Sequence, residues 1–571
     1  MNVGQDLTEV AESLVGAMVA GGVRVLFFAS GSDVMVFQEE IARREAHGLP
    51  APRLVPVLHE AVGLNAAMGF AMAGGGVAAV AAHADVGTLN MGAAWHTARR
   101  CGEPVLVLAG APPTAPPGTW RGARDHPVYW LQEPVDQRTI FRPYLKWDWR
   151  LSPTDNPGLV VSRALQVARS EPCGAALLTL PRDVVMARGP ALPYPDLERL
   201  GLPTPTHPDP PAVDRLAGRL AAARCPMIVT GASGRDQATV PLLTALVEEC
   251  GAWVTDTGWR ERLNLSSRHP MLDTGPTLAE ADVVLVIDRH IPWVPDGGPD
   301  APGPGATVAW LGRDVLVADI PVVEHPADLR IPCTTRHGLA ALRAAVAATH
   351  TPATRRAADA RLAEGARRRA ALDARRDAEA LAATGTPVDP RRVAYELGRL
   401  LGPDAILLDE AVSNAPAVRA HHRGERPGSF FAQSGSGGGW GSGAALGAKL
   451  AAPNRDVVLA SGDGFYRFGS PDAALWTARQ AGAPYLAVVF VNGRYSTGTR
   501  QVSQFYPGGY AERAGFPGGV FEPPPDYAAE ARAAGGWGCY VEHPGEVADA
   551  LGEGLRQTHA GLPAVVAVRV S

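Results

Sequence analysis

The residues of this 571-residue chain best suited to chemistry gather in two stretches, one towards each end. In the C-terminal stretch, DVVLASGDGF (456–465) reads as a buried strand that runs into Gly462-Asp463-Gly464. A second apolar run, YLAVVFVN (485–492), ends at Asn492, 29 positions after Asp463, and the intervening PDAALWTARQAGAP has a helical pattern. Such a strand–helix–strand unit puts an oxygen-bearing side chain at the end of each strand, where open parallel sheets hold their ligands. An Asp carboxylate, an Asn amide oxygen and the carbonyl of Arg494 supply three hard oxygen ligands. Mg²⁺ takes such a set when phosphates complete its octahedron. The flanking Gly462 and Gly464 let backbone N–H groups approach a phosphate closely. A lone Gly-Asp-Gly is most often a plain turn; a strand ending in Asn at this distance makes the pattern far more specific.

In the N-terminal stretch, Glu60 follows the strand-like RLVPVL (53–58) and opens the helical EAVGLNAAMGFAMAGG. An acid at a helix start is favoured by the helix dipole and alone implies nothing further. Apolar neighbours would desolvate the carboxyl and lift its pKa. The small residues Ala61, Gly63, Ala66, Ala67 and Gly69 suit close helix packing. His83 ends GVAAVAAH (76–83), 23 residues beyond Glu60. A lone histidine is commonly structural, but one at a strand end can serve as an acid or base near neutral pH. Ser32, in SGSD, fits a turn and a substrate contact equally well.

Alternating strands and helices must position these residues. Residues 1–188 contain the apolar runs 23–31, 53–58, 76–83 and 104–110 and close near AALLTLPRDV (175–184). A Pro-rich linker (190–211) leads into a second unit, within 189–346, with strands expected at 226–231, 252–256, 282–288 and 307–312. Residues 347–385 hold an Arg-, Ala- and Glu-rich helix expected to be an exposed connector. Residues 386–571 carry strands at 405–410, 456–461, 485–492 and 564–570. The expected fold is α/β: three doubly wound parallel-sheet domains. Hydrophobic residues make up 46% and charged residues 19%, with a net charge of −5, so nothing is built to hold nucleic acid. No apolar run is long enough to predict a membrane span, and the acidic start lacks the basic region of a signal peptide. Six scattered cysteines without a C-x-x-C pair suggest neither a zinc site nor disulfides, so a reduced, cytoplasmic protein is expected.

The C-terminal motif resembles that of thiamine diphosphate enzymes such as acetolactate synthases, benzoylformate decarboxylases and pyruvate decarboxylases. The likeness extends over ILLDEAVSNAP, PGSFFAQSGSGGGWGSGAALGAKLAAP, SGDGF, ALWTA and FVNGRYS. It implies the pyrimidine-binding, middle and diphosphate-binding domain order of that superfamily. It also implies thiamine diphosphate with Mg²⁺ held by Asp463, Asn492 and the Arg494 carbonyl. Ser413 and the amides of Gly464 and Phe465 would then meet the diphosphate, and backbone groups of Ser436 and Gly438 the pyrimidine. Glu60 would protonate N1′ of that ring. HADVGTLNMGA resembles the histidine-bearing segment of benzoylformate decarboxylases, which gives His83 a substrate-side role and assigns Asn90 to the cofactor. Ser32 resembles a substrate-contacting serine of the same enzymes. Gln132 and Glu133 in YWLQEPVDQR, and Lys146 in YLKWDW, resemble acetolactate synthase pocket residues.

The chain also departs from this pattern. Gly438 stands where a large aliphatic residue usually supports the bent cofactor, and Val491 replaces the first Asn of the usual Asn-Asn pair. The motif is about two residues longer than its commonest form. Pro295 falls near the place of a second histidine, with His290 several residues earlier as a substrate-side candidate. The second unit lacks an arginine-rich flavin pattern, so FAD is not expected. The resemblance implies a lyase or ligase that decarboxylates a 2-oxo acid to an enamine. The enamine is then protonated to an aldehyde or joined to a second carbonyl acceptor. The alternatives are a non-catalytic cofactor-binding or assembly subunit and a thiamine diphosphate-dependent hydrolase or acyl transferase. The family builds its site between chains, so a homodimer or homotetramer is expected.

Overall fold

A computed structural model describes residues 7–295, 300–323 and 325–571. Its first sheet holds β1 (Val25–Phe28), β2 (Arg53–Pro56), β3 (Ala78–Ala82), β4 (Val105–Ala111), β5 (Trp147–Arg150) and β6 (Ala175–Pro181). The second holds β7 (Pro226–Thr230), β8 (Trp253–Thr255), β9 (Val283–Ile287), β10 (Thr307–Gly312) and β11 (Leu329–Pro332). The third holds β12 (Ile406–Glu410), β13 (Phe430–Ala432), β14 (Val457–Gly462), β15 (Leu486–Val491), β16 (Trp537–Val541) and β17 (Ala564–Arg569). All neighbouring strands within these sheets are parallel, and the central ones are buried throughout, as a sheet covered by helices on both faces requires.

The first and third sheets share one topology. Their spatial orders are β2-β1-β3-β4-β6-β5 and β13-β12-β14-β15-β17-β16. Each reverses direction between its first and third strands, so each has a switch point at the carboxyl ends of those strands. The second sheet runs β8-β7-β9-β10-β11.

The outer units meet through two helices, α1 (Glu60–Phe70) and α4 (Trp440–Ala451), between which the chain forms a shorter α2 (Asp85–Leu89) and the long α3 (Pro352–Ala382). Glycines make the contact possible. A Cβ on Gly69 would strike the backbone of Ala444, and one on Gly447 the backbone of Ala66. Every residue from Trp440 to Ala448 is buried, and Asn65 Nδ2 donates to the Gly439 carbonyl at 3.3 Å. Arg262 then ties all three units together. Its side chain is 2% exposed, pairs with Glu103 of the first unit at 2.7 Å and donates to the Ala432 carbonyl of the third at 3.1 Å.

Three expectations change. The edge strands β5, β11, β13 and β16 are additional, and a two-stranded pair joins Leu7–Glu9 to Arg188–Pro190. Most of these are short and half-buried, so no apolar run announces them. The connector α3 is not simply exposed. Ala358, Gly365, Arg369 and Ala380 are buried along it, and Arg361 caps the Gly251 carbonyl at 2.9 Å. The Pro-rich linker is also anchored, through Asn156 to the Pro193 carbonyl (2.8 Å) and Tyr194 against Gly158. No helix among the described residues is long and apolar enough to cross a membrane.

Because Gly447 faces backbone rather than a yielding side chain, Gly447→Ala should cost about 1–3 kcal/mol by overpacking. Gly218→Ala, in open space on an exposed helix position, should instead gain about 0.5–1 kcal/mol. Thermal unfolding of the two variants checks the opposite signs.

Candidate active site

The third unit gathers a buried carboxylate, backbone amides and neutral oxygens at its switch point. Asp463 follows β14 as the first residue of α5 (Asp463–Phe468), not as part of the strand. Its carboxylate is 2% exposed. Oδ1 accepts from Gly464 N at 2.8 Å; Oδ2 accepts from Asn492 N at 3.0 Å and Gly493 N at 2.7 Å. Burial pushes this carboxyl above the usual carboxylate range despite the three amides. Among the described residues Asp463 has no ion pair, so a cation would offset the cost of its burial.

Asn492 lies just beyond β15. Its Nδ2 donates to Ser496 Oγ at 2.9 Å and its Oδ1 accepts from Arg494 N at 3.0 Å. The Arg494 carbonyl accepts from Ser496 N at 3.0 Å. Each of these oxygens keeps a lone pair for a ligand. No group of three His, Cys, Asp or Glu side chains among the described residues could hold a metal. The set at Asp463 is therefore one carboxylate with neutral oxygens, which suits a hard cation that phosphate oxygens help to coordinate. Around it, Gly462 ends β14, Ser413 sits half-exposed beyond β12 and Gly464 packs against the Tyr495 ring.

The loop before α4 carries Ser436, with φ of +63°, and Gly438. A Cβ on Gly438 would lie 2.9 Å from the Phe468 ring and 3.1 Å from that of Phe465. These two aromatic side chains therefore fill the space that a large aliphatic residue at 438 would need. Val491 is fully buried in β15. Glu410, which the sequence reading missed, anchors the loop: Oε1 accepts from Gly439 N at 3.0 Å and Oε2 from Ser461 Oγ at 3.2 Å. Burial pushes its carboxyl up to about 8.

The first unit brings an acid and a histidine to the matching switch point. Glu60 opens α1 behind the N-cap His59 and accepts from Asn90 Nδ2 at 3.0 Å. Gly87 lies between it and His83: a Cβ there would be 3.1 Å from Glu60 Oε1 and 3.6 Å from the His83 Cβ. His83 Nδ1 donates to Asp33 Oδ1 at 2.6 Å, and that hydrogen bond holds the imidazole above its ordinary pKa against the opposing effect of burial. Ser32 accepts from the Tyr129 hydroxyl at 2.9 Å. Gln132 is close enough to His83 to favour its charged form, while its buried Oε1 has no hydrogen-bond partner. The structure thus brings Glu60, Asn90, His83, Ser32 and Gln132 to one rim. Asp33 and Tyr129 are residues the sequence reading missed; the SGSD turn carried the only signal for Asp33.

Four expectations fare differently. Apolar enclosure of Glu60 is not supplied by its own chain: Leu58 is 61% exposed, and Val86 and Leu89 beside it are also open. Glu133 turns away to Arg124 at 2.6 Å. Lys146 binds the Ser170 carbonyl and lines a separate cavity with Arg235 and Arg313. His290 lines a 930 Å³ cavity between the second unit and the loop at Ser434 and Gly435, together with His96 and Glu261. Among the described residues, no hydrogen bond or ion pair joins Glu60 or His83 to the third unit.

Comparison with known proteins follows this two-part layout. Residues 8–140 match the thiamine pyrophosphate enzyme N-terminal TPP binding domain, and residues 412–568 match the C-terminal TPP binding domain. A sulfoacetaldehyde acetyltransferase of Castellaniella defragrans is 26% identical over 96% of this chain and 90% of its own. A benzoylformate decarboxylase of Pseudomonas aeruginosa is 27% identical over 78% and 79%. A probable acetolactate synthase of Mycobacterium bovis is 29% identical over 96% and 93%. Among solved structures, a benzoylformate decarboxylase from Polynucleobacter necessarius superposes with a TM-score of 0.78 at 20% identity, covering 99% of this chain and 98% of that one. The 4-hydroxybenzoylformate decarboxylase of Rhodococcus jostii RHA1 gives 0.77 at 22%, covering 99% of both. With both TPP binding domains matched and the three-sheet fold shared, this chain belongs to the thiamine pyrophosphate enzymes.

Proposed function

We propose that the chain is a thiamine diphosphate- and Mg²⁺-dependent carbon–carbon lyase or ligase acting on a 2-oxo acid. The observation that carries this reading is the pairing of chemistries at two matching switch points. One unit presents an acid beside a histidine, and the other a buried carboxylate ringed by amides and neutral oxygens. Thiamine diphosphate, when bound, supplies a nucleophilic carbon and an electron sink.

The chain's own residues do the rest. Asp463, Asn492 and the Arg494 carbonyl hold the cation that neutralises the diphosphate. The amides of Gly464 and Phe465 and the hydroxyl of Ser413 orient the phosphates. Glu60 holds the proton at N1′ of the pyrimidine, with Asn90 fixing its carboxyl. His83 gives or takes the proton at the substrate-derived oxygen, flanked by Ser32 and Gln132. His290, in the cavity beside Ser434 and Gly435, is a substrate-side candidate from the second unit.

Assembly completes this site. Leu58, Val86 and Leu89 are open beside Glu60, as are Phe468 and Tyr495 beside Asp463, and a homodimer or homotetramer that joined the two rims would cover both sets. A second reading, acyl transfer, is favoured by the similarity to sulfoacetaldehyde acetyltransferase over 96% of the chain. A non-catalytic binding subunit is the reading to eliminate, since Gly438 and Val491 depart from the family pattern.

Incubation of the cofactor-loaded protein with a panel of 2-oxo acids, with and without an aldehyde or phosphate acceptor, separates these readings. CO₂ release with an aldehyde or acyloin product is expected; an acyl phosphate formed from an aldehyde bearing an α-sulfonate, added to the panel so that departure of sulfite balances the oxidation of the carbonyl carbon, would favour transfer. Exchange of the C2 proton of bound cofactor should be at least about 100-fold faster than in Glu60→Gln, the scale of a positioned acid–base group. Equal exchange in the two, at the rate of free cofactor, would identify a non-catalytic subunit.

Metal removal gives an independent check. Chelation, or Asp463→Asn, should abolish the rise in melting temperature caused by adding thiamine diphosphate with Mg²⁺. At 100-fold excess over Kd that rise corresponds to about 2.7 kcal/mol. An undiminished rise under chelation would remove the metal from the reading.

A further inference from the structure

We propose that Asp33 is the positioning residue for His83: its buried carboxylate keeps the proton on Nδ1, so that Nε2 is the nitrogen that gives and takes the substrate proton. The role given to Nε2 rests on the function proposed above; the placement of the proton on Nδ1 does not.

The geometry is that of a clamp. Asp33 is 1% exposed and uses both oxygens on consecutive residues at the end of β3. Oδ1 accepts from His83 Nδ1 at 2.6 Å, and Oδ2 accepts from Ala84 N at 2.8 Å. An ionised carboxylate only accepts, so the Nδ1 it faces carries hydrogen in the neutral and the charged ring alike. Protonation and deprotonation are thereby confined to Nε2. The second oxygen, bound to the backbone, stops the carboxylate from following any movement of the ring.

Two glycines clear room for this pair. A Cβ on Gly31 would lie 2.5 Å from the His83 Cβ and 2.8 Å from its Cγ. A Cβ on Gly110, in β4, would land on the Asp33 carboxyl, 2.7 Å from Oδ1. A chance surface contact between His and Asp needs no such vacancy on two separate strand ends. The pair occupies space that the surrounding sheet leaves for it.

The charges around the pair set the direction of its titration. Asp85, at the start of α2, adds to the attraction of Asp33 for a charged ring, and Gln132 nearby favours it too. Arg182 faces Asp33 and lies over the Tyr129 ring at 5.0 Å, held by Asp125 at 2.8 Å. Glu60 stands beyond Gly87, and Glu133 is engaged by Arg124. Burial opposes the charged ring, and the Asp33 hydrogen bond outweighs it. Removing the carboxylate charge therefore leaves burial dominant, and the titration midpoint falls.

Asp33→Asn is the discriminating variant. Its Oδ1 can still accept from Ala84 N, so a role limited to backbone capping would be retained. Its Nδ2 would donate towards His83 Nδ1, which drives the ring hydrogen to Nε2. The test is NMR of the full chain with 13C- and 15N-labelled histidine, the His83 signals being assigned by their loss in His83→Gln. The native protein should show hydrogen on Nδ1 and a midpoint above those of its exposed histidines. In Asp33→Asn the midpoint should fall by about one pH unit or more, the size of a lost charged hydrogen bond, and the 15N pattern should reverse. Gly110→Ala, which keeps the carboxylate but displaces it, should shift the midpoint the same way and covers the case in which Asp33→Asn does not fold. An unchanged midpoint and 15N pattern in a folded Asp33→Asn protein, or a neutral ring in the native protein with its hydrogen on Nε2 rather than Nδ1, would overturn the proposal. On an identified 2-oxo acid, kcat of Asp33→Asn should fall about 10²-fold with KM within about threefold, and the acid limb of its pH profile should move down with the NMR midpoint. A protein that turns over no 2-oxo acid sinks the proposed function but not the NMR result.

Discussion

The close approach of α1 and α4 is the contact on which the rest of the arrangement depends. Backbone meets backbone where Gly69, Gly443 and Gly447 remove the side chains that would hold the helices apart. Both helices begin at chemistry: Glu60 opens α1, and the loop with Ser436 and Gly438 leads into α4. The Asn65–Gly439 hydrogen bond ties one of these starts to the other helix. A shift along this contact would therefore displace Glu60 and the loop of Ser436 and Gly438 at once. Arg262 adds the second unit to the same joint, since its guanidinium satisfies Glu103 and the Ala432 carbonyl at once. Removing any one of these groups would leave a buried charge or a buried carbonyl unpaired.

The departures at Gly438 and Val491 have a packing explanation. Phe465 and Phe468 lie against the bare Cα of Gly438, so a bulky residue there would collide with two rings. Phe468 stacks on Tyr495 at 6.0 Å between centroids, and Tyr495 meets Phe521 at 5.1 Å. Bulk has moved from the loop to the helix after Asp463, and Gly438 is the residue that makes room for it. Val491 is the last residue of a wholly buried strand and joins the core cluster that also contains α1 and α4. An amide there would need a buried partner; an aliphatic side chain needs only packing.

Much of the fold was legible because central parallel strands are buried on both faces and so appear as unbroken apolar runs. β10 falls on its expected bounds, and the other expected strands shift by only a few residues at their ends. The edge strands were not legible, since WDWR and WGCYV alternate or are only half-buried and resemble loop sequence. In the site, Asp463 and Asn492 could be found because their geometry is local to one strand–helix–strand unit. The Asp33–His83 pair spans 50 residues and the Glu410–Gly439 contact 29, and neither spacing has a sequence period. Only the fold puts such partners together. Lys146 and Glu133 went elsewhere for a related reason: nearby in sequence to pocket residues, they found better-placed partners in the Ser170 carbonyl and Arg124.

The two half-sites are also solvated differently, and that difference carries physical meaning. Asp463 is already buried in the single chain, with its amides in place before any ligand arrives. Glu60 is half-exposed, among apolar side chains that face outwards. A carboxyl that must share a proton with a heterocycle works best when desolvated, because water would otherwise stabilise its ionised form. Covering Leu58, Val86 and Leu89 in the proposed assembly would therefore do more than hold subunits together: it would take water away from Glu60. The Asp463 cradle is preorganised by folding, whereas the surroundings of Glu60 would be completed by association in the proposed enzyme, which would make assembly a step in building the chemistry rather than a consequence of it.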